Sequence, residues 1–458
     1  MDSALRTVRD AQPMEVCGRV AVVRGMTILL NRLPIPIGSL VRLAPTSLSG
    51  TRDAESSGGV QLAEVIGFTD QHTVVMMLGS AAGISPGDRA VALHAAPSAP
   101  VGDSLLGRCV NALGHPVDAR GVLHALQPRR LDPDPIGPLD RRRISAALAT
   151  GVRAIDLFTT LGQGQRMGVF AGPGVGKSTL LGCIARNTSA DVNVIALVGE
   201  RGREVRDFIE HNLGADGLAR SVIVVSTGDE SPLMRVRAAK YATTIAEFFR
   251  DQGRAVMLMM DSVTRFAHAQ RQIGLSVGEP PATRGYTPSV FAAMARLMER
   301  AGAIEGASHT GGSITGIYTV LVEGDDMTEP VADAARGILD GHLILSRGLA
   351  QRNHYPAIDV LDSVSRVADD VVDAAHAAAR RQLVRLIAAY KKVEDLVQIG
   401  AYAKGSSIEA DTAIHFLPRI TELLQQGTHE REDFAAGKAK LLKIALEAGA
   451  ALAPPGRR

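Results

Sequence analysis

The sequence predicts a multidomain chain: an N-terminal β-barrel, a central doubly wound α/β domain and a C-terminal helical domain. Three observations carry this reading. Short β-branched runs separated by Gly, Pro or Ser clusters fill residues 16 to about 95. Apolar strand-length runs then alternate with helix-length segments from about Gly151 to Arg366. Beyond Arg366 the chain turns rich in Ala, Leu and charge, with apolar residues at helical spacing. A length of 458 residues agrees with more than one hydrophobic core.

Each unit follows from its residues. "CGRVAVVRGMTILL", "SLVRLA", "VQLAEVIGFT" and "HTVVMMLG" supply five or six strands in roughly 80 residues, which suits a small closed barrel. About 15 residues precede it; Leu5 and Val8 can share a helix face, and Pro13 ends that helix early. From Pro97 to Pro138 the frequent Pro and Gly of "LGHPVDARG" and "LDPDPIGPLD" predict an extended connector laid over the next domain. "QRMGVFAG", "VNVIALVGE", "SVIVVSTG" and "AVMLMMDS" are nearly continuous apolar runs, as parallel strands covered on both faces require. "DAAHAAARRQLVRLIAAYKKVEDLVQIGAY" predicts packed helices, and "GKAKLLKIALEAGAALAPPGRR" one further helix stopped by Pro.

Composition removes several function classes. Apolar residues are 46% and charged residues 21%, a globular balance with no 18-residue apolar run to span a membrane. The opening "MDSALRTVRDAQPMEV" has no apolar signal core, so a secretory signal is not expected. Cys17, Cys109 and Cys183 lie far apart without CxxC spacing, against a disulfide scaffold or zinc site and for a reducing cytoplasm. A net charge of +2, no Trp and an aromatic share of 3% give no reason to expect nucleic acid as a partner.

The chemistry begins at "FAGPGVGKSTLLG". A strand meets a Gly-rich turn of Gly172, Pro173, Gly174, Val175 and Gly176, and a helix opens at Lys177, Ser178 and Thr179. Backbone N–H groups and the helix N-terminus cradle phosphate, Lys177 reaches the β and γ phosphates, and the Ser178 hydroxyl binds Mg²⁺. The first position of the phosphate-loop pattern is Ala171 rather than Gly, so that position has to tolerate a Cβ. In "RAVMLMMDSVTRFA" an apolar strand ends at Asp261, placed either to hold Mg²⁺ through water or to cap a helix. Ser262 follows instead of Glu, so the base for an attacking water has to come from elsewhere. Glu200 of "VNVIALVGERGREV" follows another apolar strand and suits that role. Arg201 and Arg203 are candidates to hold its geometry or contact phosphate, and Glu204 for the outer Mg²⁺ shell; a solvated charged turn is the alternative. Cys183 fits a small core position.

Whole phrases then carry a resemblance. "GERGREV", "LMMDSVTRFAHAQRQIGLSVGEPPATRGYTPSVFA" and "LVEGDDMTEPVADAARGILDGHLILSR" resemble the ATPases of type III protein export, flagellar and virulence-associated, which are similar to the catalytic subunit of rotary ATP synthases. The resemblance runs from about Gly18 to about Gly405 and is most specific between Gly151 and Arg366. It implies an N-terminal barrel over 1–95, a connector plus RecA-like P-loop ATPase domain over 96–375 and a helical domain over 376–458. It also implies ATP and Mg²⁺ as cofactors, a homohexamer with sites between subunits, and Glu200 as the catalytic carboxylate, aided by Lys177 and Arg201. Arg366, in "SVSRV", would enter the neighbouring site as an arginine finger, and Tyr355, in "HYPAIDVLDSVSR", would lie against adenine. A segment after "LVQIG" would approach the base.

The implied partners are an ATPase regulator and stalk proteins, chaperone–substrate complexes facing the C-terminal helices, and a peripheral contact with the export gate. The implied place is the cytoplasm beside the inner membrane, although so short an N-terminal segment weakens the regulator and membrane contacts. "LARSVIVVSTGDESPLMRVRAAKYATTIAEFFRDQG" leans to the flagellar branch over the virulence branch. A rotary synthase subunit and a Rho-like RNA translocase are more distant alternatives. The second needs an aromatic, basic RNA-binding face near the N-terminus, where Phe68 is the sole aromatic residue of positions 1–95. A purely structural nucleotide-binding protein would leave Glu200, Asp261 and Arg366 without a role.

Overall fold

A computed structural model of the chain describes residues 15–452 except 32, 45–60, 95–97, 306–310, 323 and 325. The segment with Leu5, Val8 and Pro13 and the Pro-containing tail lie outside the described residues.

Six strands close into a barrel in the order β1-β2-β5-β4-β3-β6: β1 (Cys17–Arg24), β2 (Thr27–Asn31), β3 (Leu40–Ala44), β4 (Gln61–Phe68), β5 (His72–Met77) and β6 (Arg89–His94). Alternation along β2, β3 and β4 sends Ile28, Leu30, Val41, Leu43, Ala63 and Val65 into a packed apolar interior. Closure leaves no strand edge to pair with another chain. A buried guanidinium fastens the barrel to the α/β domain. Arg237, on the helix Pro232–Asp251, meets Glu64 of β4 at 3.4 Å and donates to the carbonyls of Ser98 (2.9 Å) and Ala112 (3.2 Å). Burial holds the Glu64 carboxyl above its usual range, with Arg237 opposing.

The connector is more than an extended strap. Ser98–Val101 and Gln127–Arg130 pair antiparallel as a separate small sheet. Cys109–Asn111 (β7) joins the main sheet as an edge strand beside the strand Ser221–Thr227. Asp118 steadies the turn behind it, accepting from Arg108 Nε (2.8 Å) and the Cys109 N–H (3.0 Å).

The main sheet uses β8 (Arg166–Ala171), β9 (Val192–Glu200), β10 (Ser221–Thr227), β11 (Ala255–Asp261), β12 (Ser313–Leu321), β13 (Gly341–Leu345) and β14 (Ile358–Ser365), with β7 at its far edge. Their order is β14-β13-β8-β12-β11-β9-β10-β7; neighbours run parallel except β14, which is antiparallel to β13. Parallel register brings the carboxyl ends of β8, β12, β11 and β9 to one edge: Ala171 pairs with Leu321, Met260 with Tyr318 and Leu197 with Asp261. In such sheets ligands bind at that edge. Both faces are covered, which is why these strands carry unbroken apolar runs.

The helices Ala374–Gln398, Ile408–Leu424 and Phe434–Leu452 pack on one another at the C-terminus. Asp373 and Ser407 cap the first two, accepting from His376 N (2.9 Å) and Ala410 N (3.3 Å). Arg153, nearly buried, ties this bundle to the α/β domain through Glu430, Glu432 (2.8 Å) and the Leu423 carbonyl (2.9 Å). No described helix is long and apolar enough to cross a membrane.

Candidate active site at the carboxyl edge of the sheet

β8 runs into a turn and then the helix Lys177–Asn187. The turn needs glycine at Gly174 (φ 79) and Gly176 (φ 91), where the backbone is left-handed. Ala171 keeps its Cβ without strain because it is still a strand residue, paired with Leu321 and Leu345. Ser178 and Pro173 are exposed at the helix mouth, and Thr179 is half-buried.

Three charged side chains converge there. Lys177 Nζ ion-pairs with Asp261 Oδ1 and lies 3.8 Å from Glu200 Oε1. All three are largely withdrawn from solvent, with side-chain exposures of 13%, 5% and 15% for Lys177, Asp261 and Glu200. Asp261 ends β11, and the Thr319 hydroxyl on adjacent β12 donates to the same Oδ1 at 2.7 Å. Capping of the next helix falls to Ser262, whose hydroxyl accepts from the Arg265 N–H (3.3 Å), so Asp261 is free of that task. Glu200 is set by a register shift between Val198 and Glu200. Gly199 there has φ 73, and a Cβ on it would fall 2.9 Å from Arg265 Cβ. Burial first, and then the charge of Asp261, push the Glu200 carboxyl up to about 7, while Lys177 opposes them.

Arg201 lies apart from this cluster. Its side chain is 82% exposed and pairs with Glu204 at 3.3 Å, because the chain turns outward into the short helix Gly202–Asp207. Arg203 is exposed too. Glu204 lies close enough to Glu200 to add to the upward push on its carboxyl.

Beside the phosphate loop a cavity of about 320 Å³ is lined by Val175, Thr179, Cys183, Tyr355, Pro356 and Gln426. The Tyr355 ring stands against Gly176, 3.5 Å from where a Cβ would be. Residues 426–428 also line the cavity. Gln426 is pinned by the Tyr355 carbonyl (2.9 Å), the Gly151 carbonyl (2.7 Å) and the Arg153 N–H (2.8 Å). Cys183 is half-buried against the core and also lines this cavity, its thiol 3.3 Å from the Thr428 carbonyl.

Arg366 is exposed at the opposite edge of the sheet, just past the end of β14. Ser365 pairs with Gly341, at the start of β13. The length of β8, about 17 Å at roughly 3.3 Å per residue, separates Arg366 from the phosphate loop of its own chain.

Sequence reasoning missed Thr319 and residues 426–428. No local pattern marks either, since each reaches the site through pairing of distant segments. Thr319→Val keeps the side chain's shape and removes one bond to a carboxylate, a loss of about 1.5–3 kcal/mol. Steady-state assays are expected to show kcat lowered at least tenfold with nucleotide affinity nearly unchanged; an unaltered kcat would remove Thr319 from the site. Tyr355→Ala is expected to weaken adenine nucleotide binding roughly 5- to 150-fold, as loss of about 1–3 kcal/mol of stacking implies, with Tyr355→Phe close to the parent. Titration with a fluorescent ATP analogue measures this, and equal affinities would exclude the ring from the base site.

Comparison with known proteins agrees with the geometry. Residues 151–365 match the ATP synthase alpha/beta family nucleotide-binding domain, and residues 372–443 match the T3SS EscN ATPase C-terminal domain. The flagellum-specific ATP synthase of Treponema pallidum is 48% identical over 448 residues, covering 98% of this chain and 96% of that protein. The type 3 secretion system ATPase of Xanthomonas euvesicatoria is 48% identical over 413 residues, covering 90% of each. Among solved structures, the assembled ATPase EscN from the enteropathogenic E. coli type III secretion system superposes with a TM-score of 0.85 at 42% identity, over 93% of this chain and 100% of that one. A phosphate loop, two edge carboxylates and this breadth of identity converge: the chain belongs to the type III export ATPase family, together with the flagellum-specific ATP synthases and the type 3 secretion system ATPases.

Proposed function

We propose that this ATPase of type III export hydrolyses Mg²⁺-ATP at sites shared between subunits of a homohexamer, and serves the flagellar branch. The observation that carries the reading is the division of labour across the sheet: Lys177, Glu200 and Asp261 meet at one edge and Arg366 stands exposed at the other.

The triphosphate is held by the backbone of Gly172–Thr179, with adenine in the Tyr355 cavity. Its arrival draws Lys177 Nζ off Asp261 and onto the phosphate oxygens. Glu200 takes a proton from the attacking water as its oxygen bonds to the γ-phosphorus and the bond to the bridging oxygen breaks, releasing ADP. A carboxyl raised by burial is a stronger base for this than an exposed one. Arg201 acts indirectly, through Glu204, on the orientation of Glu200. Arg366 of the neighbouring subunit meets charge building on the γ-phosphoryl oxygens.

The donor set fits Mg²⁺. Ser178 offers an exposed hydroxyl, and Asp261 Oδ2 accepts no hydrogen bond among the described residues, both hard oxygen donors. No group of three or more His, Cys, Asp or Glu side chains able to hold a metal occurs among the described residues, as suits an ion carried largely by substrate phosphates. When bound, Mg²⁺ neutralises phosphate charge.

Assembly and a stalk partner are supported by EscN, solved assembled and in complex with its central stalk EscO. The flagellar reading is supported by the longer span shared with the T. pallidum enzyme at the same identity. Hydrolysis on the cytoplasmic side of the inner membrane would release cargo from chaperones and admit it to the export gate. ATPase rate per chain is expected to rise with protein concentration until assembly saturates. A rate independent of dilution would exclude shared sites.

A further inference from the structure

The residue that opens the phosphate-loop strand also grips the base of Arg366. Gln165 precedes β8, and its side chain is fully buried. Its Oε1 accepts from the Gly162 N–H at 2.9 Å, which fixes the amide's orientation. Its Nε2 donates to Ser365 Oγ at 3.0 Å and to the Asp340 carbonyl at 3.3 Å. Ser365 is the residue immediately before Arg366, and its hydroxyl also donates to the buried Thr160 carbonyl at 2.9 Å. The Asp340 carbonyl accepts from the Arg366 N–H at 3.0 Å as well. Asp340 is itself clamped by Arg166, the first residue of β8. Its Oδ2 accepts from the Arg166 N–H (3.0 Å) and Nε (3.1 Å), and its Oδ1 from Nη2 (3.0 Å).

A surface arginine before a turn needs none of this. A buried amide, a half-buried hydroxyl and a carbonyl shared between Gln165 and Arg366 hold the backbone of an exposed residue, at an edge where its own chain has no phosphate to meet. Buried polar groups with every bond satisfied fix one backbone geometry, as a residue that must arrive at a neighbour's γ-phosphate within a fraction of an ångström requires.

We infer that Gln165 is a positioning residue for Arg366, acting through Ser365 and the Asp340 carbonyl on the neighbouring subunit's site and not on its own; this rests on the reading of Arg366 as a finger supplied in trans. Gln165→Leu keeps the volume and loses the amide. Displacing a reacting group by about an ångström can cost about 100-fold, so kcat is expected to fall ten- to a hundredfold with ATP affinity unchanged.

The test mixes subunits. Glu200→Gln chains have a disabled site but an intact finger. Added in excess to Gln165→Leu chains, they should restore turnover at the Gln165→Leu sites, as they should for Arg366→Ala chains. Rescue of both supports the inference. Rescue of Arg366→Ala alone overturns it, because Gln165 then serves its own phosphate loop. Rescue of neither removes the trans finger and the inference with it. Parent-like kcat in Gln165→Leu also overturns it. Should Gln165→Leu fail to fold, Ser365→Ala, which removes only the linking hydroxyl, enters the same mixture with the same expected rescue, and its failure to be rescued overturns the inference in the same way.

Discussion

Glu200→Gln is expected to lower kcat at least about 100-fold, the low end for loss of a general base, while ATP still binds with nearly parental affinity. The substitution is isosteric, so the register shift at Gly199 and the packing on Lys177 persist. What is lost is a group able to accept the water's proton. Equilibrium binding of a fluorescent ATP analogue and steady-state phosphate release separate the two effects. Turnover within a few-fold of the parent's would take Glu200 out of the mechanism and return the base to another group. A combined loss of binding and turnover would make Glu200 a scaffold for the Lys177 cluster instead.

The second large effect belongs to Arg366→Ala, for which kcat is expected to fall about 10³-fold or more at protein concentrations that saturate assembly. Affinity for ATP by isolated chains should not change, because Arg366 stands a strand's length from its own phosphate loop. Arg366→Lys is expected to recover little, since an ammonium lacks the planar fork that spans two phosphoryl oxygens. Analytical ultracentrifugation alongside the assay shows whether rings still form. Normal turnover by assembled Arg366→Ala would end the case for a finger.

Much of this site could be read from local pattern. Continuous apolar runs announce strands buried on both faces, and a charged residue at the end of such a run must surface at the sheet edge. Glu200 and Asp261 are visible for that reason, and Lys177 because glycine spacing and a helix start leave few other structures. The edge role of Cys109–Asn111 was not legible, for three residues in a Pro- and Gly-rich segment carry no periodicity. Nor was the wall at residues 426–428, which reaches the cavity beside the phosphate loop where Arg153 and Gln426 dock the C-terminal bundle. Thr319 and Gln165 are ordinary polar residues in sequence. Their meaning arises from which strands lie side by side, and strand order is a property of the whole domain. Arg201 stands next to Glu200 in sequence, but the backbone turns it outward to Glu204, a placement that sequence adjacency does not show.

With Arg366 completing a neighbour's site as proposed, the placement of phosphate loop and arginine on opposite edges of one sheet would give each subunit a direction, a giving side and a receiving side. Such a molecule cannot complete a site by meeting its twin face to face about a twofold axis, because like edges would then confront each other. On that reading contacts would run head to tail. An open row of subunits always ends in a receiving edge with no donor, so some catalytic capacity is idle however long the row grows. Only closure into a ring brings every donor to a receiver. Arrested partial assemblies should therefore be held back in turnover by their unfilled ends, and the closing subunit should add more activity than any before it.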